Sequence, residues 1–181
     1  METVSQYFDL LEDAMKELDL LSCPTQVYNV DIPELPMLLQ QEVQKRSQIE
    51  HRGRRDKGQV NIMACGNAAG QAIPPMVIFD AKKLNHAWTA NKVPGTKYGL
   101  SNKGWINTDL FEGWLVEHLS FDYAVPALPL LLLLDGHVMH YQPGVLRFAR
   151  AHGVNILCLL SHTTHEMQPL DCGEFVPLMS H

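Results

Sequence analysis

A mixed α/β fold follows from three features of the sequence. Leu130 to Leu134 is an unbroken leucine run that ends in Asp135. A second β-rich run, Gln26 to Asp31, also ends in a carboxylate. Amphipathic stretches with helical spacing separate such runs. Strands buried on both faces of a parallel sheet read as continuous apolar segments, and helices make the crossovers between them. The expected architecture is a mixed five-stranded sheet flanked by helices, with a three-strand antiparallel meander and two added parallel strands.

The elements follow in chain order. Val4 to Leu21 is predicted as a helix, because Tyr7, Phe8, Leu11, Ala14, Met15 and Leu18 recur at helical spacing with acids opposite. Thr3 and Gln6 suit a capping box, and the apolar stripe should pack on this same domain. Ser22 to Thr25 breaks the helix, and QVYNVD is the first strand. Pro33 and Pro36 stop it. Gln59 to Ala69 and Ala72 to Phe79 read as a hairpin turned at Ala69-Gly70-Gln71. The pair Pro74-Pro75 predicts an edge position for its second strand.

Asp80 to Trp105 reads as a long polar connection in which Trp88, Lys92, Lys97, Tyr98, Lys103 and Trp105 interleave aromatic and basic residues. That mixture suits nucleic-acid contact, and it equally suits a loop folded over the sheet. A helix is expected from Asn107 to Leu119, capped by Asn107 or Thr108, with a stripe of Leu110, Phe111, Trp114, Leu115, His118 and Leu119. The leucine strand comes next, then a helix from Pro143 to His152 ended by Gly153. Asn155 to Leu160 is the last strand, and Asp171 starts a final helix.

Composition narrows the functional classes. The 181 residues suit one domain with a sizeable core, residues 1–181, that begins with the 1–21 helix. A formal net charge of −6 excludes a generic nucleic-acid coat but leaves room for a local basic groove. Such a groove has candidates in Lys45, Arg46, Arg52, Arg54, Arg55 and Lys57, and in the Lys92, Lys97 and Lys103 loop. Cys23, Cys65, Cys158 and Cys172 form no CxxC pair, so a reducing compartment is expected. The acidic start is not a signal peptide, and the longest apolar run is about half of the ~20 residues that span a bilayer. The chain is expected to be soluble and intracellular, with no membrane partner.

Asp31, Asp135 and Asp171 each follow a strand or enter a helix near the sheet. In the expected layout the strands ending in Asp31 and Asp135 are neighbours. Crowded carboxylates repel unless a cation neutralises them, and Mg²⁺ takes few carboxylates while leaving room for phosphate and water. Each aspartate taken alone also reads as a cap or turn residue. His137 with His140 and His162 with His165 form two HxxH pairs beside the acids. They lack a zinc-binding pattern, so hydrogen bonds to the aspartates or to phosphate are the expected roles.

The layout as a whole is RNase H-like. LLLLLDGHVMHY and NILCLLSHTTHEMQPLDCGEFVPL resemble the catalytic core of the DDE superfamily endonucleases. These are the transposases of the pogo/Tigger group and their domesticated relatives, including jerky-like proteins and centromere protein B. QVYNVD resembles the family's first-aspartate strand, GQVNIMACGNAAGQAIPPMVIFDAKKLNHAW its hairpin, and GLSNKGWINTDLFEGWL its following helix. The resemblance implies that Asp31, Asp135 and Asp171 are a metal-binding triad that cuts and joins DNA with Mg²⁺ or Mn²⁺. It also implies DNA as a partner, a homodimeric assembly and a place in the nucleus.

The chain departs from the family pattern at several points. Ile32-Pro33-Glu34 follows Asp31 where Glu-Thr-Gly is usual, and Leu160-Ser161 replaces a Pro-Pro pair. Val138 and Met139 follow DGH in place of a small polar residue. These changes, with the stop at His181, predict a truncated relative, either still catalytic or reduced to a DNA- or protein-binding module.

Overall fold

The computed structural model describes residues 4–32, 59–84, 86–89, 94–116, 129–135 and 142–159. Their elements are α1 (Val4–Glu17), β1 (Val27–Asp31), β2 (Val60–Asn67), β3 (Ala72–Asp80), β4 (Lys97–Ser101), α2 (Thr108–Gly113), β5 (Leu130–Leu134), α3 (Pro143–Ala151) and β6 (Val154–Cys158). The strands form one mixed sheet in the order β4-β3-β2-β1-β5-β6. The chain divides into two compact units. One comprises Met1–Asp31, Cys65–Ile73 and Thr108–His181, and the other Ile32–Ala64 and Pro74–Asn107.

The first unit is built on β5. Parallel pairing with β1 on one side and β6 on the other makes it central. All five of its leucines are buried, as a strand covered on both faces requires. Val27, Leu131 and Leu133 share one face and pack with Leu20 against Leu11, Met15 and Leu18 of the α1 segment. The helical stripe read from the sequence is therefore spent on this domain, except for Phe8, which stays 54% exposed. Each buried leucine contributes about 1.5–3 kcal/mol. The Lys16–Glu12 ion pair, 2.7 Å long but about half exposed at both ends, adds little beside that. Burial on the sheet, and not the helix's own charges, holds α1 in place.

The helix stops four residues earlier than its apolar spacing predicts. Asp19 takes a positive φ of 56°, and the Leu20 amide donates to the Met15 carbonyl at 2.8 Å. This reversal drops Leu20 into the core at 1% exposure. In the same unit, α3 packs on β6 and α2 on α3. Phe111, Trp114, Leu115, Val145 and Ala149 are the buried residues of these helices and of the turn after α2.

The expected hairpin is present. Asn67 Oδ1 accepts from the Ala69 and Gln71 amides at 3.2 and 3.0 Å, and Gly70 supplies the left-handed residue, φ 81°. Two expectations need correction. The sheet has six strands, because Lys97–Ser101 pairs in parallel with β3 from Met76↔Lys97 to Asp80↔Ser101. This KYGLS segment has no apolar run: Gly99 and Ser101 are its buried positions, so it reads as loop. It follows that β3 is not an edge strand. Pro74 and Pro75 precede the residues that pair with β4, so their missing N–H groups leave that ladder intact.

Candidate functional site

The β1–β5 pairing fixes the geometry of the two described acids. Val27, Tyr28 and Asn29 lie opposite Leu131, Leu132 and Leu133. The same offset carried two residues on sets Asp31 level with Asp135, which follows the last residue of β5. Neighbouring parallel strands lie about 4.8 Å apart, and residues level with each other point to the same face. Stepping by two from Val27 puts Asp31, the last residue of β1, on the α1 face of the sheet, the face that Leu133, two residues before Asp135, also shares. Both are half-buried where the strands run out.

Beneath them is a residue that sequence reasoning passed over. Asn29 is 5% exposed, and its Nδ2 donates 3.1 Å to the Leu133 carbonyl. It ties β1 to β5 two residues below the level of the acids. A carboxamide set between Tyr28 and Val30 in the middle of the strand was the available signal, since a buried amide must find a partner. Gln26 adds a second tie at the far end of the strand pair, with Nε2 donating 2.8 Å to the Pro129 carbonyl.

Tyr7 belongs to the helical stripe of α1. It packs on Leu159, whose amide donates 2.8 Å to the Leu134 carbonyl just before Asp135. The Tyr7 ring thus reaches the carboxyl ends of β5 and β6 on the α1 face. Among the described residues its buried hydroxyl has no hydrogen-bond partner, and burial pushes its pKa up to about 12, with Cys158 a lesser influence. Nothing in the sequence separates this tyrosine from any other core aromatic.

The remaining expected site residues divide between described and undescribed parts. Lys97 is half-buried and Lys103 exposed, both in the second unit. Asp171, the histidines 137, 140, 162 and 165, and the cations Lys45, Arg46, Arg52, Arg54, Arg55, Lys57 and Lys92 lie outside the described residues. Among the described residues no group of three or more His, Cys, Asp or Glu side chains could hold a metal ion. Asp31 and Asp135 are two hard oxygen donors, a fit for Mg²⁺ or Mn²⁺ that awaits a third ligand. Among the described residues Cys23, Cys65 and Cys158 form no disulfide, and burial pushes the Cys65 thiol up.

Comparison with known proteins places these features in context. Residues 57–181 match the family model described as DDE superfamily endonuclease. The backbone resembles the Mos1 transposase paired-end complex with left transposon end, at a TM-score of 0.57 and 11% identity. That similarity covers 96% of this chain and 46% of the transposase, and it shows a shared RNase H-like fold. A protein of Cochliobolus lunatus named MFS-type transporter clz9 is 31% identical over 114 residues, which is 62% of this chain and 12% of that protein. The chain therefore spans less than half the length of either relative. Among the described residues no helix is long and apolar enough to cross a membrane.

Proposed function

The chain belongs to the DDE superfamily endonucleases, and on that premise we propose that it cleaves and rejoins DNA phosphodiesters with divalent metal held by Asp31, Asp135 and Asp171. The observation that carries this reading is the parallel β1–β5 register from Val27↔Leu131 to Asn29↔Leu133, which, carried two residues on, would set Asp31 beside Asp135. A rigid, packed strand pair is a good mount for metal ligands, because the ligands cannot relax away from each other. Bound Mg²⁺ or Mn²⁺ supplies charge that activates a water and stabilises the departing oxygen.

The chain's own residues do the rest. Asp31 and Asp135 hold the cation, and Asn29 fixes the spacing of the two strands that carry them. Asp171 is the third ligand. His137, His140, His162 and His165 orient carboxylates or contact phosphate. The basic segment from Lys45 to Lys57, with Lys92, Lys97 and Lys103, supplies phosphate contacts of low sequence preference. DNA and a second copy of the chain are the proposed partners, and the nucleus is the proposed place of action.

Nicking of supercoiled plasmid by the purified chain with Mn²⁺, set beside the Asp135→Ala variant, tests the catalytic reading. Cleavage by the native chain alone is expected, with calorimetric Mn²⁺ binding lost in the variant. Equal nicking by both overturns the reading. A second reading draws on the sequence Ile32-Pro33-Glu34, which departs from the family pattern directly after Asp31 and favours a DNA- or protein-binding module. Metal binding without nicking by the native chain favours that module.

A further inference from the structure

The chain has three tryptophans, and they meet different fates. Trp114 is 3% exposed, and Trp88 is stacked on Phe79 at 4.6 Å. Trp105 is 52% exposed, the most open of the three. It directly follows two consecutive left-handed residues, Lys103 at φ 66° and Gly104 at φ 70°. A positive φ at a lysine persists only where the surroundings over-determine it.

Here the surroundings do so at three successive residues. The Lys103 amide donates 3.0 Å to Asp80 Oδ1. The Gly104 carbonyl accepts from Asn61 Nδ2 at 2.9 Å. The Trp105 carbonyl accepts from Ser101 Oγ at 2.6 Å. Gly104 also fits so closely against the backbone that a Cβ there would stand 2.7 Å from the Gln59 carbonyl oxygen. All of these residues belong to the second unit, anchored on β2, β3 and β4. The backbone of the turn is locked, and the product of the locking is an indole held out in water.

The setting of that indole selects its ligand. Asn102, Lys103 and Asn107 are exposed around it in sequence, and exposed Lys82 and Lys83 follow Asp80, which the turn grips. A protein-docking hot spot sits at the centre of an apolar patch. An exposed indole on a locked turn, with exposed Asn102, Lys103 and Asn107 beside it in the chain, suits a nucleobase with its neighbouring phosphates. A base inside a duplex already has both faces covered, so the platform takes one that is unpaired.

We propose that Trp105, on the locked Lys103–Gly104 turn, is a stacking platform for an unpaired base of DNA. This deepens the DNA reading above and rests on it, yet it requires no metal. The test is fluorescence anisotropy in EDTA with labelled 15-nucleotide oligothymidine and a blunt duplex of equal length. Trp105→Ala is expected to weaken single-strand binding about ten-fold or more while changing duplex binding little. Trp105→Phe should keep most of the single-strand affinity. Gly104→Ala, which leaves the indole but breaks its posture, should lose it. Single-strand affinity unchanged in Trp105→Ala, or equal losses on both DNAs, overturns the platform. So does a native chain whose sedimentation shows a dimer that Trp105→Ala dissolves, since the indole then serves self-association. Because no metal is present, loss of Mn²⁺-dependent nicking in a separate assay leaves this result standing.

Discussion

Asn29 Nδ2 donates to the Leu133 carbonyl at 3.1 Å, joining β1 to β5 two residues below the level of Asp31 and Asp135. Replacing Asn29 by Ala removes the tie and opens a small void in a buried strand pair. A loss of about 1–2 kcal/mol is expected in urea melts. Asn29→Asp should be worse near neutral pH, because it buries a carboxylate beneath two others against a carbonyl oxygen. Equal stability of Asn29→Asp and the native chain at pH 7 would mean that the amide makes no such tie.

Tyr7 leads to the opposite sign. Among the described residues its buried hydroxyl has no partner, a desolvation cost that Phe does not incur. Tyr7→Phe is expected to stabilise the chain by about 1 kcal/mol. The pH dependence follows from the raised pKa of about 12 against the ordinary 10.0. Burial disfavours the phenolate, so this group's ionisation leaves stability untouched below pH 10 and lowers it as pH rises from 10 towards 12. Thermal melts across that same interval should fall more steeply for the native chain than for Tyr7→Phe. Parallel curves would mean that the phenol ionises freely in the folded state.

The sequence shows the sheet's centre and hides its margin, for a physical reason. A strand buried on both faces, such as Leu130–Leu134, must be apolar throughout and so is visible at once. β4 alternates Gly99 and Ser101 with half-buried Lys97, Tyr98 and Leu100, a pattern shared with loops. The prolines of β3 pointed to an edge because composition reveals the missing donors but not which residues of the strand are paired. The site divides in the same way. Asp31 and Asp135 stand out as charges that end apolar runs. The Asn29 tie and the buried hydroxyl of Tyr7 depend on register and burial, which only the folded chain supplies. The locked turn before Trp105 is likewise invisible, because its anchors Asn61 and Asp80 are distant in sequence.

Two glycine substitutions should separate according to what a Cβ would meet. At Gly104 it would meet the backbone carbonyl of Gln59 at 2.7 Å, from a residue already at φ 70°. Neither can yield, and Gly104→Ala is expected to cost about 2 kcal/mol or more. At Gly144, in the first turn of α3, the obstruction is the carboxylate tip of Glu112, the far end of a flexible side chain. Once that side chain swings away, Ala is the better helix former by roughly 0.5–1 kcal/mol. Gly144→Ala should therefore be neutral or mildly stabilising in the same melts. A reversed order of the two variants would contradict the backbone geometry of the Lys103–Gly104 turn.

The last prediction concerns the basic segment ahead of β2. The net charge is −6, so any DNA contact must be local, and Arg52, Arg54 and Arg55 are the densest cations in the chain. Each phosphate they neutralise releases condensed counterions, which lowers log K by about 0.9 per decade of salt on duplex DNA. Replacing all three by Ala should weaken duplex binding and flatten the slope of log K against log salt by up to about 3. The loss should be uniform across sequences, because phosphate contacts carry no base information. Anisotropy titrations of the triple variant on two unrelated duplexes, at several salt concentrations, decide the matter. An unchanged slope would leave these arginines as a solvated segment, and the phosphate contacts would have to come from Lys82, Lys83, Lys97 and Lys103 instead.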